Sequence, residues 1–247
     1  MRVRVGIISD IHGNVEALDA VMMELRDVDA IYCLGDVVGY GPNPNECCDI
    51  IRERKIPTVL GNHDAGAIGS LSLEWFNPPA RIAAQWTADR LTARNRFFLQ
   101  NLPLIRKTEH LCMVHGSLND PERFGYIKSI WDARESFAEM GSDTLCFLGH
   151  THIAEYFRQG SRLLQVDHLA LPEGGRVAKN SDSFYIVNCG SVGQPRDGNP
   201  MAGFGIYDTD SSTIDLLRVE YPFRVTQSKM RDLGLPTSLQ HRLEIGQ

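Results

Sequence analysis

The sequence predicts an α+β fold with two β-sheets, on three observations. Up to Leu60, β-branched apolar runs alternate with segments of helical spacing, which reads as successive β-loop-α units. Three of these runs end in a short polar motif, at the carboxyl end of a strand, where open sheets place their sites. After His152 the texture changes to short alternating strands separated by turn residues, which calls for a second sheet packed on the first. The 247 residues lie at the upper end of what a single core supports, so one domain spanning 1–247 is expected.

Val3 to Ser9 is apolar or β-branched at nearly every position, as a strand buried on both faces requires. Asn14 then caps a helix in which Val15, Leu18, Val21, Met22 and Leu25 recur at helical spacing. Ala30 to Leu34 is a second strand, followed by a Gly/Pro/Asn-rich loop and a helix from Pro44 to Arg54. Thr58 to Leu60 reads as a third strand leading to Asn62 and His63. Asn77-Pro78 gives a cap and first-turn signal for a helix carrying Ile82, Ala83 and Trp86, and Thr92 to Leu99 gives another. The aromatics Trp75, Phe76, Trp86, Phe97 and Phe98 read as core or cap packing. Leu111 to Val114 and Thr144 to Leu148 are short apolar strands. Ala154–Arg158, Leu163–Val166, Phe184–Asn188, Gly205–Tyr207 and Ile214–Val219 follow as the strands of the later region. Segments 66–100, 117–135 and 168–182 carry no motif.

The net charge of −6 and pI near 5.7 argue against a broad basic nucleic-acid surface. Bound dications would reverse the sign locally, so a phosphate site is compatible with this balance. Six cysteines without a CxxC pair do not make a disulfide framework at this length. Cys33, Cys112 and Cys146 lie in strand-like runs, and Cys47-Cys48 reads as helix packing. No apolar run approaches a membrane span or a signal peptide, and a cytoplasmic location is expected.

Five of the eight histidines fall in short motifs beside Asp, Asn or Gly: Asp10-Ile11-His12, Gly61-Asn62-His63-Asp64, His115-Gly116 and Gly149-His150-Thr151-His152, with Gly35-Asp36 between the first two. Singly, Asp10, Asp36 and Asn62 are ordinary turn residues. Together they supply the donors for two metal ions, which require about four or more ligands for the first and a shared donor to hold a second roughly 3.5 to 4 Å away. A carboxylate serves as the shared donor because its two oxygens can bind one ion each. Asp10 and His12, and likewise His150 and His152, are two apart and would share one side of an extended segment. Gly35, Gly61, Gly116 and Gly149 let the backbone approach the ions. Imidazole, carboxylate and amide oxygen together suit Mn²⁺, Fe, Zn²⁺, Co²⁺ or Ni²⁺ better than Mg²⁺ or Ca²⁺. His110, His168 and His241 lie outside these motifs and read as surface or packing residues.

The order of these motifs resembles that of the calcineurin-like metallophosphoesterases, D-x-H, G-D, G-N-H-D/E, H and G-H-x-H. Asn188 to Arg196 and Gly35 to Pro42 are similar to segments of the small, stand-alone prokaryotic members. Cys189 departs from that pattern, standing where proline is frequent. The resemblance implies two mixed sheets face to face with helices outside, an αββα sandwich. It implies a first ion held by Asp10, His12, Asp36 and His152, a second by Asp36, Asn62, His115 and His150, and Asp36 as the bridge. It further implies that His63 contacts phosphate or protonates the leaving oxygen, with Asp64 holding its ring. The nucleophile would be a water whose pKa two dications lower from about 15.7 toward roughly 7. Arg196 is either a turn residue or a phosphate contact. The implied activity is hydrolysis of phosphate monoesters or diesters, including nucleotide-type substrates. Alternatives are a phosphoprotein or dinucleoside-polyphosphate phosphatase and, less favoured because no ligand is missing, a non-catalytic scaffold.

Overall fold

Val5 and Ile7 of β1 (Arg4–Ile8) point into one apolar cluster and Ile8 into another, so this strand is buried on both faces. The computed structural model, which describes residues 3–109, 111–160 and 165–247, repeats this division in both of its sheets. In the first, β2 (Ala30–Cys33) lies parallel to β1, which pairs antiparallel with β10 (Ala202–Asp208). β11 (Thr213–Val219) and β8 (Gly175–Ala178) complete it in the order β2-β1-β10-β11-β8. The second sheet has the order β3-β4-β5-β9-β6-β7, from β3 (Ile105–Lys107), β4 (Cys112–Val114), β5 (Leu145–Leu148), β6 (Ala154–Gly160), β7 (Val166–Ala170) and β9 (Ser183–Cys189). β4, β5 and β9 are parallel, and the remaining pairs are antiparallel.

The two sheets meet through Val5, Ile7, Met113, Phe147, Tyr185 and Val187. The alternate residues Cys112, Cys146 and Ile186 turn away, toward Ala133 and Phe137 of α6 (Ile130–Glu139). On the far side of the first sheet, Ile8, Phe204 and Ile206 pack with α1 (Val15–Glu24), α2 (Pro44–Glu53) and Leu99 of α5 (Ala93–Gln100). The result is the four-layer αββα sandwich. A further cluster joins α4 (Pro78–Arg90) to α7 (Phe223–Asp232) and α8 (Thr237–Ile245) beside the motif loops. Asn14 and Asn77 cap α1 and α4 through their side-chain oxygens, as expected.

Thr58 to Leu60 is not a strand: a single bridge joins Thr58 to Cys33. Pro57 ahead and the helix behind leave no length for a ladder, and the Leu60 amide turns to the Pro103 carbonyl. That helix, α3 (Asn62–Ile68), was not legible in the sequence. Neither were α6, α7, α8, β3 and β8. Only Val177 is buried in β8, so its sequence carries no period. Of the expected strand Leu163–Val166, the first two residues lie outside the described residues, as does His110; β7 begins at Val166. All six cysteines are free and buried, with Cys47 and Cys48 packed in the α1–α2 core. His168 stacks on Phe157 with ring centroids 4.3 Å apart, and His241 is exposed beside Glu244.

Candidate metal centre

Each expected ligand lies just beyond a secondary-structure end on one rim of the sandwich: Asp10 and His12 after β1, Asp36 after β2, Asn62 at the start of α3, His115 after β4, and His150 and His152 after β5. The paired ligands do not share one side of an extended segment, as their spacing suggests. Asp10, His12, Asp36, His150 and His152 have φ between 50° and 69°, in the left-handed region, so both pairs converge through turns and not along extended segments. Such strain persists only where the surroundings over-determine it. Glycines make room at two points: a Cβ on Gly61 would stand 2.1 Å from Asp36 Oδ1, and one on Gly149 would stand 2.4 Å from Asp10 Oδ2.

The donors form overlapping groups. Asp10, His12 and His152 make one, Asp36, His115 and His150 another, and His63 joins His12 and Asp36 in a third. Asp10 Oδ1 lies 3.2 Å from His152 Nε2 and 3.7 Å from His12 Nε2. Asp36 Oδ2 lies 3.3 Å from His115 Nε2 and 3.6 Å from His12 Nε2, so this single oxygen faces both groups. The other oxygen, Oδ1, accepts the His63 amide at 2.8 Å. Of the two oxygens the sequence offered for sharing, only Oδ2 therefore faces both groups. Asn62 Oδ1 stands 3.2 Å from His115 Nε2.

The outer nitrogens of three rings meet backbone carbonyls: His12 Nδ1 with Val38 O at 3.2 Å, His115 Nδ1 with Leu34 O at 2.8 Å and His152 Nδ1 with Gln194 O at 2.6 Å. A carbonyl only accepts, so each Nδ1 carries the proton and, in the neutral ring, each Nε2 points a lone pair inward. His12 Nε2 and His152 Nε2 then face each other at 3.1 Å as two acceptors, and Asp36 Oδ2 is buried with no hydrogen-bond partner. A cation among them resolves both conflicts. The residues fit a pair of divalent metal ions.

Asp64 does not hold the ring of His63. As the third residue of α3 its carboxylate turns back, accepting the Val38 amide at 3.0 Å and the Gly61 amide at 3.2 Å. Tyr40 takes the expected role, with its hydroxyl 3.0 Å from His63 Nε2, while His63 Nδ1 is buried without a partner. The same hydroxyl accepts from Arg196 Nη2 at 2.9 Å. Tyr40 lies between Gly39 and Gly41, where neither turn nor strand calls for an aromatic ring, and that was the available signal. The segment after β9 is tied to both outer motifs: Ser191 Oγ donates to Asp10 O at 2.8 Å and the Arg196 amide to His152 O at 3.1 Å. Asn188 Nδ2 donates to Gly149 O at 2.8 Å. Cys189 Sγ fills the space opposite Gly205, where a Cβ would approach it to 2.5 Å.

Residues 3–212 match the model of the calcineurin-like phosphoesterase superfamily domain. The chain belongs to this superfamily. This phosphoesterase is 38% identical to an uncharacterized protein of Methanocaldococcus jannaschii over 248 residues, 98% of each chain. It is similar to a metallophosphoesterase of Sphaerobacter thermophilus, whose crystal structure it matches at 40% identity, with complete coverage of both chains and a TM-score of 0.89. A hypothetical protein of Pyrococcus horikoshii shares the fold at 18% identity, with 99% of each chain covered and a TM-score of 0.79. Family and donor set together make the chain a metal-dependent phosphoester hydrolase with a binuclear site.

Electrostatics in the metal-free phosphoesterase follow from burial and from the two carboxylates. Burial would raise Asp36, but His115, His63 and His12 hold it well below the usual carboxylate range. Asp10 is likewise held down, chiefly by His152 and His115 against its own burial. Burial depresses His12, His150 and His152, and brings His63 down to about 4. His115 goes the other way: burial opposes its charge, but the Asp36 carboxylate prevails and lifts it to about 9. Burial and the Asp36 charge push Asp64 up to about 7. Below about pH 9, metal-free His115 therefore carries a proton that an incoming cation must displace. Metal affinity is expected to fall as pH drops from 9 to 7, by up to about tenfold per unit for one released proton. Calorimetric titration in buffers of different ionisation enthalpy measures that proton; an affinity independent of pH over this range would contradict the assignment.

Proposed function

We propose that this phosphoesterase hydrolyses phosphate monoesters or diesters at two divalent transition-metal ions. Asp10, His12, Asp36 and His152 would hold one, and Asp36, Asn62, His115 and His150 the other. The observation that carries this reading is the convergence of His12 Nε2 and His115 Nε2 on Asp36 Oδ2, the carboxylate oxygen not committed to the backbone. When bound, the ion pair supplies water of lowered pKa and positive charge against the phosphoryl oxygens. The imidazole-rich donor set supports Mn²⁺, Fe, Zn²⁺, Co²⁺ or Ni²⁺.

The chain's own groups supply orientation and a proton path. His63 and Asn62 line a cleft of about 700 Å³ that also reaches His150. In this reading the phosphoryl group lies at the Asn62–His63–His150 end of that cleft. Burial keeps the His63 ring neutral, and a phosphoryl anion alongside raises its basicity, so the ring gains proton affinity only with substrate present. In this reading it donates to a substrate oxygen, positioned by the Tyr40 hydroxyl. Arg196, anchored on that hydroxyl, offers a guanidinium fork of the shape phosphate oxygens accept. Asp64 acts at one remove, by fixing the turn into α3. The net charge of −6 supports a small phosphate ester or nucleotide over nucleic acid. Six free, buried cysteines support a reducing compartment such as the cytoplasm. Among the described residues no helix is long and apolar enough to cross a membrane.

The test is metal analysis alongside a panel of monoesters, diesters and nucleotides assayed with Mn²⁺. Two ions per chain and turnover that stops on chelation and returns with metal are the expected result. A protein carrying two ions per chain that turns over no ester in the panel would refute the reading.

A further inference from the structure

Trp75 reads in the sequence as packing, yet its side chain is 83% exposed. It ends a short 3₁₀ turn, Leu73–Trp75, whose backbone is pinned rather than loose. The Arg81 guanidinium donates to three carbonyls around it: Leu73 O at 3.0 Å, Glu74 O at 3.2 Å and Phe76 O at 3.3 Å. Ser72 Oγ accepts the Glu74 amide at 3.3 Å. Leu73 and Phe76, the residue after Trp75, pack into the cluster of α4, α7 and α8. The indole is thus held out into solvent on a fixed backbone, with a large apolar face left uncovered.

This indole lines the same 700 Å³ cleft as Asn62, His63 and His150. Phe76 links the two ends, its ring meeting that of His63 edge-on with centroids 4.9 Å apart. On another part of the lining, Tyr126 is already engaged on both faces, stacked on His150 at 3.8 Å and capped by Lys128 Nζ at 4.1 Å. It can form a wall but cannot receive a ring. Trp75 can. The cleft is far larger than a phosphoryl group needs and lies in the size range of small-molecule sites. Its lining also includes Asn77, Glu122 and Arg123, which offer hydrogen bonds to ring heteroatoms and sugar hydroxyls and nothing to a bare hydrocarbon ring.

We propose that this cleft binds the nucleoside part of a nucleotidyl phosphate ester, with the base stacked on Trp75 and the phosphate at the Asn62–His63–His150 end. This specificity rests on the phosphoesterase reading and names its substrate class. Trp75 sets affinity and takes no part in the chemistry.

The test compares adenosine 5′-phosphate with ribose 5-phosphate, and the methyl ester of each, on the Mn²⁺-loaded enzyme. Trp75→Ala should raise KM for the adenosine esters about 5- to 100-fold, the span of base-aromatic stacking, and leave the ribose esters unchanged. Trp75→Phe should retain most of the preference. A second readout needs no turnover: with Trp86 and Trp131 replaced by Phe, adenosine 5′-phosphate should quench Trp75 emission, and ribose 5-phosphate and inorganic phosphate should not. Quenching in an enzyme that hydrolyses none of these esters would uphold the nucleoside cleft while removing the hydrolase reading. Equal KM values for adenosine and ribose esters, or absence of quenching, would overturn the cleft and leave hydrolysis intact. Phenyl phosphate showing the same dependence on Trp75 as adenosine 5′-phosphate would also overturn it, because the cleft would then recognise any flat ring.

Discussion

Asp36→Asn is expected to abolish binding of both metal ions and to lower turnover by about 10³-fold or more, since metal stabilisation of phosphoryl charge is worth several kcal/mol. The physical reason is the position of one oxygen. Asp36 Oδ2 faces His12 on one side and His115 on the other, and Oδ1 is committed to the His63 amide. The substitution removes the charge both groups share and, with Oδ1 retaining the amide, places an NH₂ donor among inward-facing lone pairs. His115 also loses the carboxylate that lifts it to about 9, so its proton no longer competes with metal; affinity nevertheless falls, because the shared charge is gone. Metal analysis of the folded variant, checked by circular dichroism, decides the matter. Two ions retained at wild-type affinity would remove Asp36 from the bridging position.

His63→Ala is expected to keep both ions and to slow turnover of alkyl esters by about 10² to 10⁴, the usual worth of general acid help. With p-nitrophenyl phosphate, whose leaving group needs no proton, the loss should be much smaller. The ring lies next to Asp36 and His12 but has its Nε2 on Tyr40 and lines the cleft, so the proposal leaves it out of both ligand sets. Steady-state constants across leaving groups of graded pKa measure the effect. Equal losses for all esters would make His63 a phosphate-binding residue, and loss of metal would make it a ligand.

The candidate site was largely legible because its chemistry needs particular residue types at particular places. Asp10, His12, Asp36, Asn62, His115, His150 and His152 all stand where an apolar run gives way to a polar turn, and packing alone would not gather histidines into short motifs with Asp, Asn or Gly there. What the chain could not disclose was how they converge. Left-handed backbone at five of these residues replaces the extended geometry that their spacing alone suggests. The ring of His63 illustrates the same limit. Its neighbour Asp64 is adjacent in sequence but turns back as a helix cap, and Tyr40, 23 residues away, takes its place.

By itself, the sequence determined the two-sheet α+β class, the first two strands with the helices that follow them, and the seven candidate donors that the fold brings to one rim, because burial on both faces and metal coordination both restrict residue type. Tertiary structure alone decided which Asp36 oxygen faces both donor groups, which side chain meets His63 Nε2, and that Trp75 stands exposed beside the site. Those outcomes depend on contacts between segments distant along the chain, and a packed tryptophan and a presented one are the same letter until the fold places them.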